Sequence, residues 1–209
     1  MNEEVKPPVV KRKAALSAFR RELIRDAAKQ IFVEVGLHGA SLREIAKIAG
    51  CTTGAIYAQY TNKEEVYADI LRESLVNMAE AVKAGAEQGP KGKQSLAALR
   101  AWFEYFDARP AEFDLGFYLY GGAHPVGVGN ELNRELNVKL KVVYETVANA
   151  MEQDAIATAE NKHHLAVAGA SWMFGILLMK GTGRLKILEI DVNKLLDDSL
   201  KILQHAHHA

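Results

Sequence analysis

Apolar residues recur three and four positions apart along most of this chain, and that spacing limits what the chain can fold into. The first such stripe covers residues 23–35 and ends at Gly36, and later stripes are separated by short polar or glycine-containing stretches. This spacing indicates amphipathic α-helices, whereas a strand would alternate apolar and polar residues. The pattern predicts an all-α protein, with three short helices followed by about six longer ones.

Two of the predicted helices begin at capping sequences. Ser41 and Glu44 form a capping box, and Asn62 with Glu65 has the same spacing. In such a sequence the first side chain accepts a hydrogen bond from a backbone N–H that the helix leaves unpaired. We therefore expect one helix to run from residue 42 to Gly50 and a long helix to begin after Asn62. Only a very short helix, over about residues 53–60, fits between them.

A basic helix followed by two short helices around a tight turn is typical of a helix-turn-helix. The second short helix cannot be stable alone. Ile56 and Tyr60, four positions apart, would anchor it to the preceding helices, which leaves Thr53, Gly54 and Tyr57 facing outward. A glycine near the helix start allows another backbone or a phosphate to approach closely. This segment is therefore a candidate DNA-binding surface.

The charge of the chain is unevenly distributed, although its net value over 209 residues is zero. Residues 11–60 carry nine Lys or Arg and four Asp or Glu, a net charge of +5, so the remainder carries −5. A basic end on an acidic body is expected when one end of a protein meets phosphate. The basic run at residues 11–13 could be an arm that enters the minor groove, or a solvated, disordered tail.

Residues 20–71 strongly resemble the DNA-binding domain of the TetR family of transcriptional regulators. The matching features are an Ala-Ala pair with Phe32, Gly36, the run SLREIAKIAG over 41–50, the spacing of Gly54, Tyr57 and Tyr60, and NKEE over 62–65. The resemblance implies a homodimer that binds a pseudo-palindromic operator on double-stranded DNA, and a small molecule in the C-terminal domain that releases the DNA. Repression is the commoner mode in the family, and activation also occurs.

The resemblance also implies which residues contact DNA and how the chain is divided. Residues 1–18 would be a flexible basic arm, 19–66 the DNA-binding domain, and 67–209 a ligand-binding and dimerisation domain. Thr53 and Ala55 would face base edges, where Ala55 could touch a thymine methyl. Ala58 and Gln59 stand where relatives often have aromatic residues or histidines, so the operator sequence cannot be inferred. The candidate DNA-binding residues are Ser41, Arg43, Thr52, Thr53, Gly54, Ala55, Tyr57, Gln59 and Lys63.

Aromatic residues are concentrated in the middle of the chain. Pockets for drug-sized ligands are mostly apolar and contain a few placed polar groups. We therefore expect a cavity for a small apolar or aromatic effector, although any single aromatic residue could equally be ordinary core. The candidate ligand-binding residues are Trp102, Tyr105, Phe106, Phe117, Tyr120, His124, Tyr144 and Trp172.

Two C-terminal helices, over about residues 158–181 and 191–204, are candidates for a dimer interface. The first is apolar around most of its circumference, so it must be buried on several sides. Two recognition helices reach successive major grooves only in a dimer, with about 34 Å between half-site centres. The alternative is an internal helix pair in a monomer. The candidate interface residues are Gly169, Trp172, Gly175, Leu195, Leu196 and Leu203.

Several other classes of protein fit the sequence poorly. The single cysteine excludes an intramolecular disulfide and suits a reducing compartment. The longest charge-free apolar run, residues 165–179, is shorter than the about 20 residues that a membrane span needs, and no signal peptide is evident. We therefore expect a cytoplasmic protein with no membrane partner.

Enzymatic and metal-binding readings have little support in the sequence. Glu160 and His163 form one Glu-x-x-His motif, but carboxylate-bridged metal bundles need a second. No phosphate-binding loop or nucleophile elbow is evident. We expect no cofactor, no metal and no catalytic activity. The alternatives left open are a helix-turn-helix protein controlled by a protein partner, and an all-helical enzyme that uses His124, Glu160 and His163.

Overall fold

A computed structural model of the chain describes residues 8–117 and 129–205, and these residues form ten α-helices and no strand. The all-α prediction is confirmed. The helices are α1 (Pro8–Gly39), α2 (Leu42–Ile48), α3 (Thr53–Tyr57), α4 (Lys63–Gln88), α5 (Gln94–Asp107), α6 (Pro110–Phe117), α7 (Asn130–Gln153), α8 (Lys162–Gly181), α9 (Arg184–Ile187) and α10 (Val192–His205).

The chain divides into two compact units. Among the described residues, the first unit contains 8–71, 114–117 and 129–132, and the second contains 72–113 and 133–205. α4, α6 and α7 supply residues to both units. The first unit carries the helix-turn-helix sequence, and the second carries the aromatic cluster and the C-terminal helices.

The core of the first unit comes from the apolar stripes that the sequence predicts. Ile24, Phe32, Ile45, Ile56 and Ile70 are almost completely buried there. They come from α1, α2, α3 and α4, so each of these helices contributes its apolar side to one core. A helix as short as α3 depends on this burial, because so few internal hydrogen bonds cannot offset the entropy of ordering it.

The turns between these helices are set by local hydrogen bonds. Gly36 breaks the helical geometry of α1 with φ 70° and ψ 172°. Ser41 caps α2 and its hydroxyl oxygen accepts from Glu44 N at 3.3 Å, as the capping box predicts. α2 ends at Ile48 and Gly50 follows with φ 64°, a left-handed conformation that suits glycine. The predicted stop of this helix at Gly50 is thereby confirmed.

Two of the predicted boundaries are corrected. α1 already begins at Pro8, so residues 8–18 are helical and do not form a flexible arm. Lys, Arg, Ala and Leu fill most of that stretch, and these residues favour helices. Residues 1–7 lie outside the described part of the chain. α3 ends at Tyr57 with Ala58 as its C-cap, so it is shorter than the predicted helix over 53–60.

The second unit is built around α5, α8 and α10, which pack on one another. Leu99, Trp102, Val147, Met173 and Leu196 are buried in its core, so α7 also contributes. α5 shows the expected stripe, because its apolar residues lie three and four positions apart and are buried on one side.

α8 is the one helix among the described residues whose length and composition would allow it to cross a membrane. Its buried side chains, which include Ala166, Ala170 and Met173, belong to the core that α5 and α10 also form. This packing accounts for the buried side of α8, and length and composition alone are weak evidence for a span.

Candidate DNA-binding surface and ligand-binding cluster

The short helix α3 is held from one side and open on the other. Ile56 is fully buried and Tyr60, just after the helix, is 3% exposed, whereas Tyr57 is 59% exposed. Thr52 caps the helix, and its hydroxyl oxygen accepts from Ala55 N at 3.2 Å. The predicted orientations of the two tyrosines and of Ile56 are therefore confirmed.

The predicted DNA-binding residues form one stretch of surface along α2, α3 and the turn before α4. Arg43, Thr52, Gly54 and Tyr57 are exposed, and the other five are half-buried. A Cβ added at Gly54 would meet no atom within 4 Å, so the surface beside this glycine is open. The half-buried residues are Ser41, Thr53, Ala55, Gln59 and Lys63.

Lys63 has a structural role that the sequence did not reveal. Its Nζ donates to the carbonyl oxygens of His38 at 3.0 Å and Ala40 at 3.1 Å. These carbonyls lie where α1 ends and the chain turns toward α2, so the ammonium group joins the start of α4 to that turn. An ammonium has three N–H donors, and the third is left for another acceptor.

A carboxylate in α4 gathers three side chains from the rest of the first unit. Arg21 makes a two-pronged contact with Asp69, with Nε to Oδ2 at 2.8 Å and Nη2 to Oδ1 at 2.7 Å. Arg25 Nη1 donates to Asp69 Oδ2 at 3.4 Å, and the Tyr60 hydroxyl donates to the same oxygen at 2.6 Å. These contacts tie Tyr60, which follows α3, to both α1 and α4.

The pKa values in this group follow from its burial and hydrogen bonds. Burial pushes the pKa of the Asp69 carboxyl upward, but the hydrogen bonds from Arg21 and Tyr60 outweigh it and lower the pKa to about 2. The pKa of the Tyr60 hydroxyl is raised above its ordinary value, by burial first and then by its hydrogen bond to Asp69. Asp69 is therefore ionised and Tyr60 is neutral at physiological pH.

The Asp69 contacts change which basic residues can meet phosphate. Arg21 and Arg25 are engaged with Asp69 inside the first unit, although the sequence counts both toward its positive end. Other basic side chains of α1 and α2 are exposed, namely Arg12, Lys13, Arg20, Arg43 and Lys47. The positive surface is therefore carried by these residues.

An aromatic cluster lies in the second unit, where α5, α7 and α8 meet. The rings of Tyr144 and Phe174 lie 5.0 Å and 5.6 Å from the Trp102 ring, both in edge-to-face geometry. Phe106 packs edge-to-face on Phe113 at 5.6 Å and tilted on Phe174 at 6.3 Å. We call these five residues the aromatic cluster.

Two polar groups in the aromatic cluster have no hydrogen-bond partner among the described residues. Trp102 is fully buried and its Nε1, which can only donate, is unpaired. The hydroxyl of the half-buried Tyr144 is likewise unpaired within the described ranges. Burial raises the pKa of this hydroxyl above its ordinary value, so it stays protonated. The cluster therefore contains two unused donors.

Tyr105 belongs to a polar group beside the aromatic cluster. Its hydroxyl donates to Glu112 Oε2 at 2.8 Å, and its ring lies 5.3 Å from that of Phe106. The guanidinium of Arg109 lies over the Tyr105 ring, 4.5 Å from its centre. Burial, followed by the carboxylate of Glu112, raises the pKa of Tyr105 to about 12, although its contact with Ser74 acts in the opposite direction.

The remaining predicted ligand residues are not brought into the cluster by the described structure. Tyr120 and His124 lie outside the described residues, as does the side chain of Phe117. Trp172 lies on the exposed side of α8. The cluster instead includes Phe113 and Phe174, which the prediction left out, although both stand in aromatic or apolar runs that could have identified them.

The predicted dimer residues fall on both sides of their helices. Gly169, Leu196 and Leu203 are buried within the second unit, and a Cβ at Gly169 would lie 2.8 Å from Leu99 Cδ1. Trp172 and Gly175 are exposed and Leu195 is half-buried. The exposed apolar residues of α8 and α10 also include Val167, Leu178 and Ile202, which the prediction missed.

No group of three His, Cys, Asp or Glu side chains in the described part of the chain could hold a metal ion. His163 Nδ1 lies 3.7 Å from Glu145 Oε1, and both side chains are more than half exposed. This contact is a surface pair, and it brings no further ligand with it.

Comparison with known proteins points to one family. The model of "Bacterial regulatory proteins, tetR family" matches residues 24–70. The chain is 30% identical over 89 residues to the HTH-type transcriptional activator FasR of Mycolicibacterium smegmatis, which is 42% of this chain and 41% of FasR. It is 26% identical over 163 residues to the fatty acid metabolism regulator protein of Bacillus subtilis, covering 74% of this chain and 77% of that protein. The chain thus spans less than half the length of FasR.

Solved structures agree on the fold. The fatty acid degradation regulator FadR of Bacillus halodurans superposes with a TM-score of 0.70 and 18% identity. The match covers 88% of this chain and 94% of FadR. An identity this low compares the folds alone, and it extends the likeness beyond the N-terminal residues into the C-terminal helices.

Proposed function

Since this chain is a member of the TetR family of transcriptional regulators and carries its DNA-binding domain, we propose that it binds a pseudo-palindromic operator as a homodimer. We propose further that a small apolar or aromatic effector releases the DNA and that the usual outcome of binding is repression. One observation carries the proposal: α3 is anchored by Ile56 and Tyr60 and presents Tyr57 and Gly54 on an open surface.

The roles of the surface residues follow from their donors and positions. Tyr57 offers a hydroxyl to a phosphate oxygen, and the exposed Thr52 can donate its hydroxyl proton while its oxygen caps α3. Thr53 and Ala55 face base edges. The Thr53 hydroxyl can pair with a donor or an acceptor on a base edge, and the Ala55 methyl can touch the methyl group of thymine. Arg43 adds positive charge on the same surface.

Lys63 would serve DNA binding in two ways. Two of its donors hold the carbonyl oxygens of His38 and Ala40 and so fix the turn before α2. The third would bind a phosphate at the start of α4, where unpaired backbone N–H groups also favour an anion. Because Lys63 would both hold the turn and bind a phosphate, substituting it would change the shape of the surface as well as its charge.

The homodimer would form through the exposed sides of α8 and α10. Val167, Leu178 and Ile202 are large apolar residues that the single chain leaves in water. Gly175 and Ser171 on the same side of α8 are small and would let a second helix approach closely. Burying this side against a second copy would remove apolar area from water, which is the main driving force of association.

The aromatic cluster would bind the effector. It is apolar, it contains the buried, unpaired N–H of Trp102 and the hydroxyl of Tyr144, and its partly exposed members Tyr144 and Phe174 give it a side open to an entering molecule. The names of two similar proteins refer to fatty acid metabolism. We therefore propose effectors with an alkyl or aromatic body. The cytoplasm is the expected location, and no catalytic activity is proposed.

Control by a protein partner is the second candidate, and the aromatic cluster argues against it. A regulator of that kind would need no buried apolar site with unused donors, because its partner would bind at the surface. The two candidates differ in one outcome, because only control by a small effector predicts that a small molecule alone releases the DNA.

Selection of bound sequences from a random DNA pool tests the proposal. A two-fold symmetric sequence is expected, with half-site centres about 34 Å apart or at a multiple of that distance. Tyr57→Phe should weaken binding to the selected operator and to random DNA alike, by about fivefold, because it removes a phosphate contact. Tyr105→Phe, in the second unit, is the control and should leave DNA binding unchanged. Recovery of no symmetric sequence, or unchanged binding by Tyr57→Phe, would contradict the proposal.

A further inference from the structure

We propose that Trp102 is a specificity-determining residue for the effector, and that its indole N–H donates a hydrogen bond to an uncharged carbonyl-type oxygen on that molecule. The ligand class is an apolar ester, thioester, amide or ketone. This inference rests on the proposal that the aromatic cluster binds the effector, and it adds the polar group that the cluster recognises.

The unused donor is the first step of the argument. Trp102 is fully buried, and its Nε1 has no partner in the described part of the chain. A buried donor without an acceptor is rare, because desolvation of that group is left uncompensated. A bound molecule that brings an acceptor to this atom would remove that penalty, and its affinity would rise accordingly.

The surroundings of Trp102 indicate where the acceptor enters. The two rings that touch the indole, Tyr144 and Phe174, are partly exposed, whereas Trp102 itself is not. A molecule that moves or displaces these two rings would reach the indole from that side. The Tyr144 hydroxyl belongs to one of these two rings and would supply a second hydrogen bond to the same oxygen.

The charge of the cluster decides between neutral and ionised acceptors. All five rings of the aromatic cluster are uncharged, and Trp102 and Tyr144 are neutral donors. A carboxylate held by these five rings alone would lose its hydration and gain no opposite charge from them, which is strongly unfavourable. A carbonyl oxygen loses far less hydration and is satisfied by one or two neutral donors. The absence of charge in the five rings therefore favours binding of the ester over the acid from which it is made.

The test uses three probes with the same alkyl chain: lauric acid, methyl laurate and dodecane. Calorimetric titration of the full chain at pH 7 should show methyl laurate binding about tenfold more tightly than dodecane, with lauric acid weaker than its ester. Trp102→Phe keeps an aromatic ring and removes the N–H, so the preference for the ester over dodecane should disappear. Trp172→Phe is the matched control, because Trp172 lies on the exposed side of α8.

A second measurement tests the same hydrogen bond without changing Trp102, in case Trp102→Phe does not fold. In Trp172→Phe, Trp102 is the one remaining tryptophan, because the chain has two. Ultraviolet resonance Raman spectra should then show the indole hydrogen-bond marker shifting with methyl laurate and staying in place with dodecane.

The outcomes separate the inference from the proposed function. If methyl laurate and dodecane bind equally well and both alter the Trp102 signal, the cluster is a ligand site, but the indole N–H does not donate to a carbonyl oxygen. That result would overturn the inference. If none of the three probes binds or alters Trp102, the effector site itself is wrong and the inference fails with it. Tighter binding of the free acid than of the ester would overturn the choice of a neutral acceptor.

Discussion

Replacing Asp69 by asparagine should loosen the first unit, because three side chains converge on its carboxylate. The substitution keeps the shape and removes the charge that Arg21 and Arg25 face. At about 1.4 kcal/mol for each unit of pKa, lowering the pKa of Asp69 from 3.8 to about 2 corresponds to about 2 kcal/mol of stability at pH 7. The side chain of Arg21 is 44% exposed and can be rehydrated when the charge of Asp69 is removed, so we expect a total loss of about 2 kcal/mol.

The pH dependence has a definite sign. A carboxyl whose pKa is lower in the folded chain stabilises it above the ordinary pKa, and this contribution is lost as pH falls from about 4 to about 2. The difference between the parent and Asp69→Asn should therefore be full at pH 7 and largely gone near pH 2. Tyr60→Phe, which removes one hydrogen bond to Asp69, should lose about 1 kcal/mol.

Amide hydrogen exchange read by mass spectrometry is the suitable assay, because the chain has two units and need not unfold in one step. Protection should fall in peptides covering residues 24–32 and 56–70 and stay unchanged in α8. Asp26→Asn is the control, since Asp26 is exposed and lies 3.7 Å from Lys29 on the same helix. Equal protection of Asp69→Asn and the parent at pH 7 would refute the reasoning.

Three further substitutions test other parts of the structure. Gly85→Ala should destabilise the second unit by about 2 kcal/mol, seen as lower amide protection in α5, because the new Cβ would lie 2.8 Å from the Ala97 carbonyl oxygen; unchanged protection would show that α4 and α5 can separate. Thr53→Ala should change which operator is preferred and leave non-specific affinity unchanged in a competition assay, and an unaltered preference would remove Thr53 from the base-facing surface. Leu178→Glu should give monomers in sedimentation velocity whereas Val138→Glu on α7 should not, and a dimer for both variants would contradict the α8 interface.

Features set by neighbours within four residues could be predicted from the sequence. The Ser41 cap, the Asn62 cap and the burial of Ile56 each depend on a short spacing that the sequence displays directly. Helical periodicity is also local, so the fold class could be predicted from it. Such features need no knowledge of which helices pack together.

The Asp69 interactions could not be predicted in the same way, because they join residues 44 and 48 positions apart. Spacing alone treats Arg21 as one more positive charge of the N-terminal end. A signal was nevertheless present. Asp69 stands in the middle of the run from Val66 to Leu71, and all the remaining residues of that run are apolar and buried. A charge at such a position requires a partner.

The predicted dimer residues illustrate a different limit. α8 is apolar around most of its circumference, so periodicity identifies a buried helix without telling which side meets its own unit. The structure turns Gly169 toward Leu99 and leaves Val167 and Leu178 outside. Tertiary packing decides which side of a uniformly apolar helix is buried, and the sequence of the helix alone does not contain that information.

The stretch from Ile56 to Tyr60 contains residues that maintain its structure and residues that are free to vary. Ile56 and Tyr60 are buried, and Tyr60 is bound to Asp69, so substitutions there would disturb the whole first unit. Ala58 is exposed and Gln59 is half-buried with no hydrogen bond from its side chain within the described ranges. Substitutions at these two positions should change stability by no more than about 0.5 kcal/mol. If these two positions face the operator as proposed, operator preference can change there while the fold stays the same.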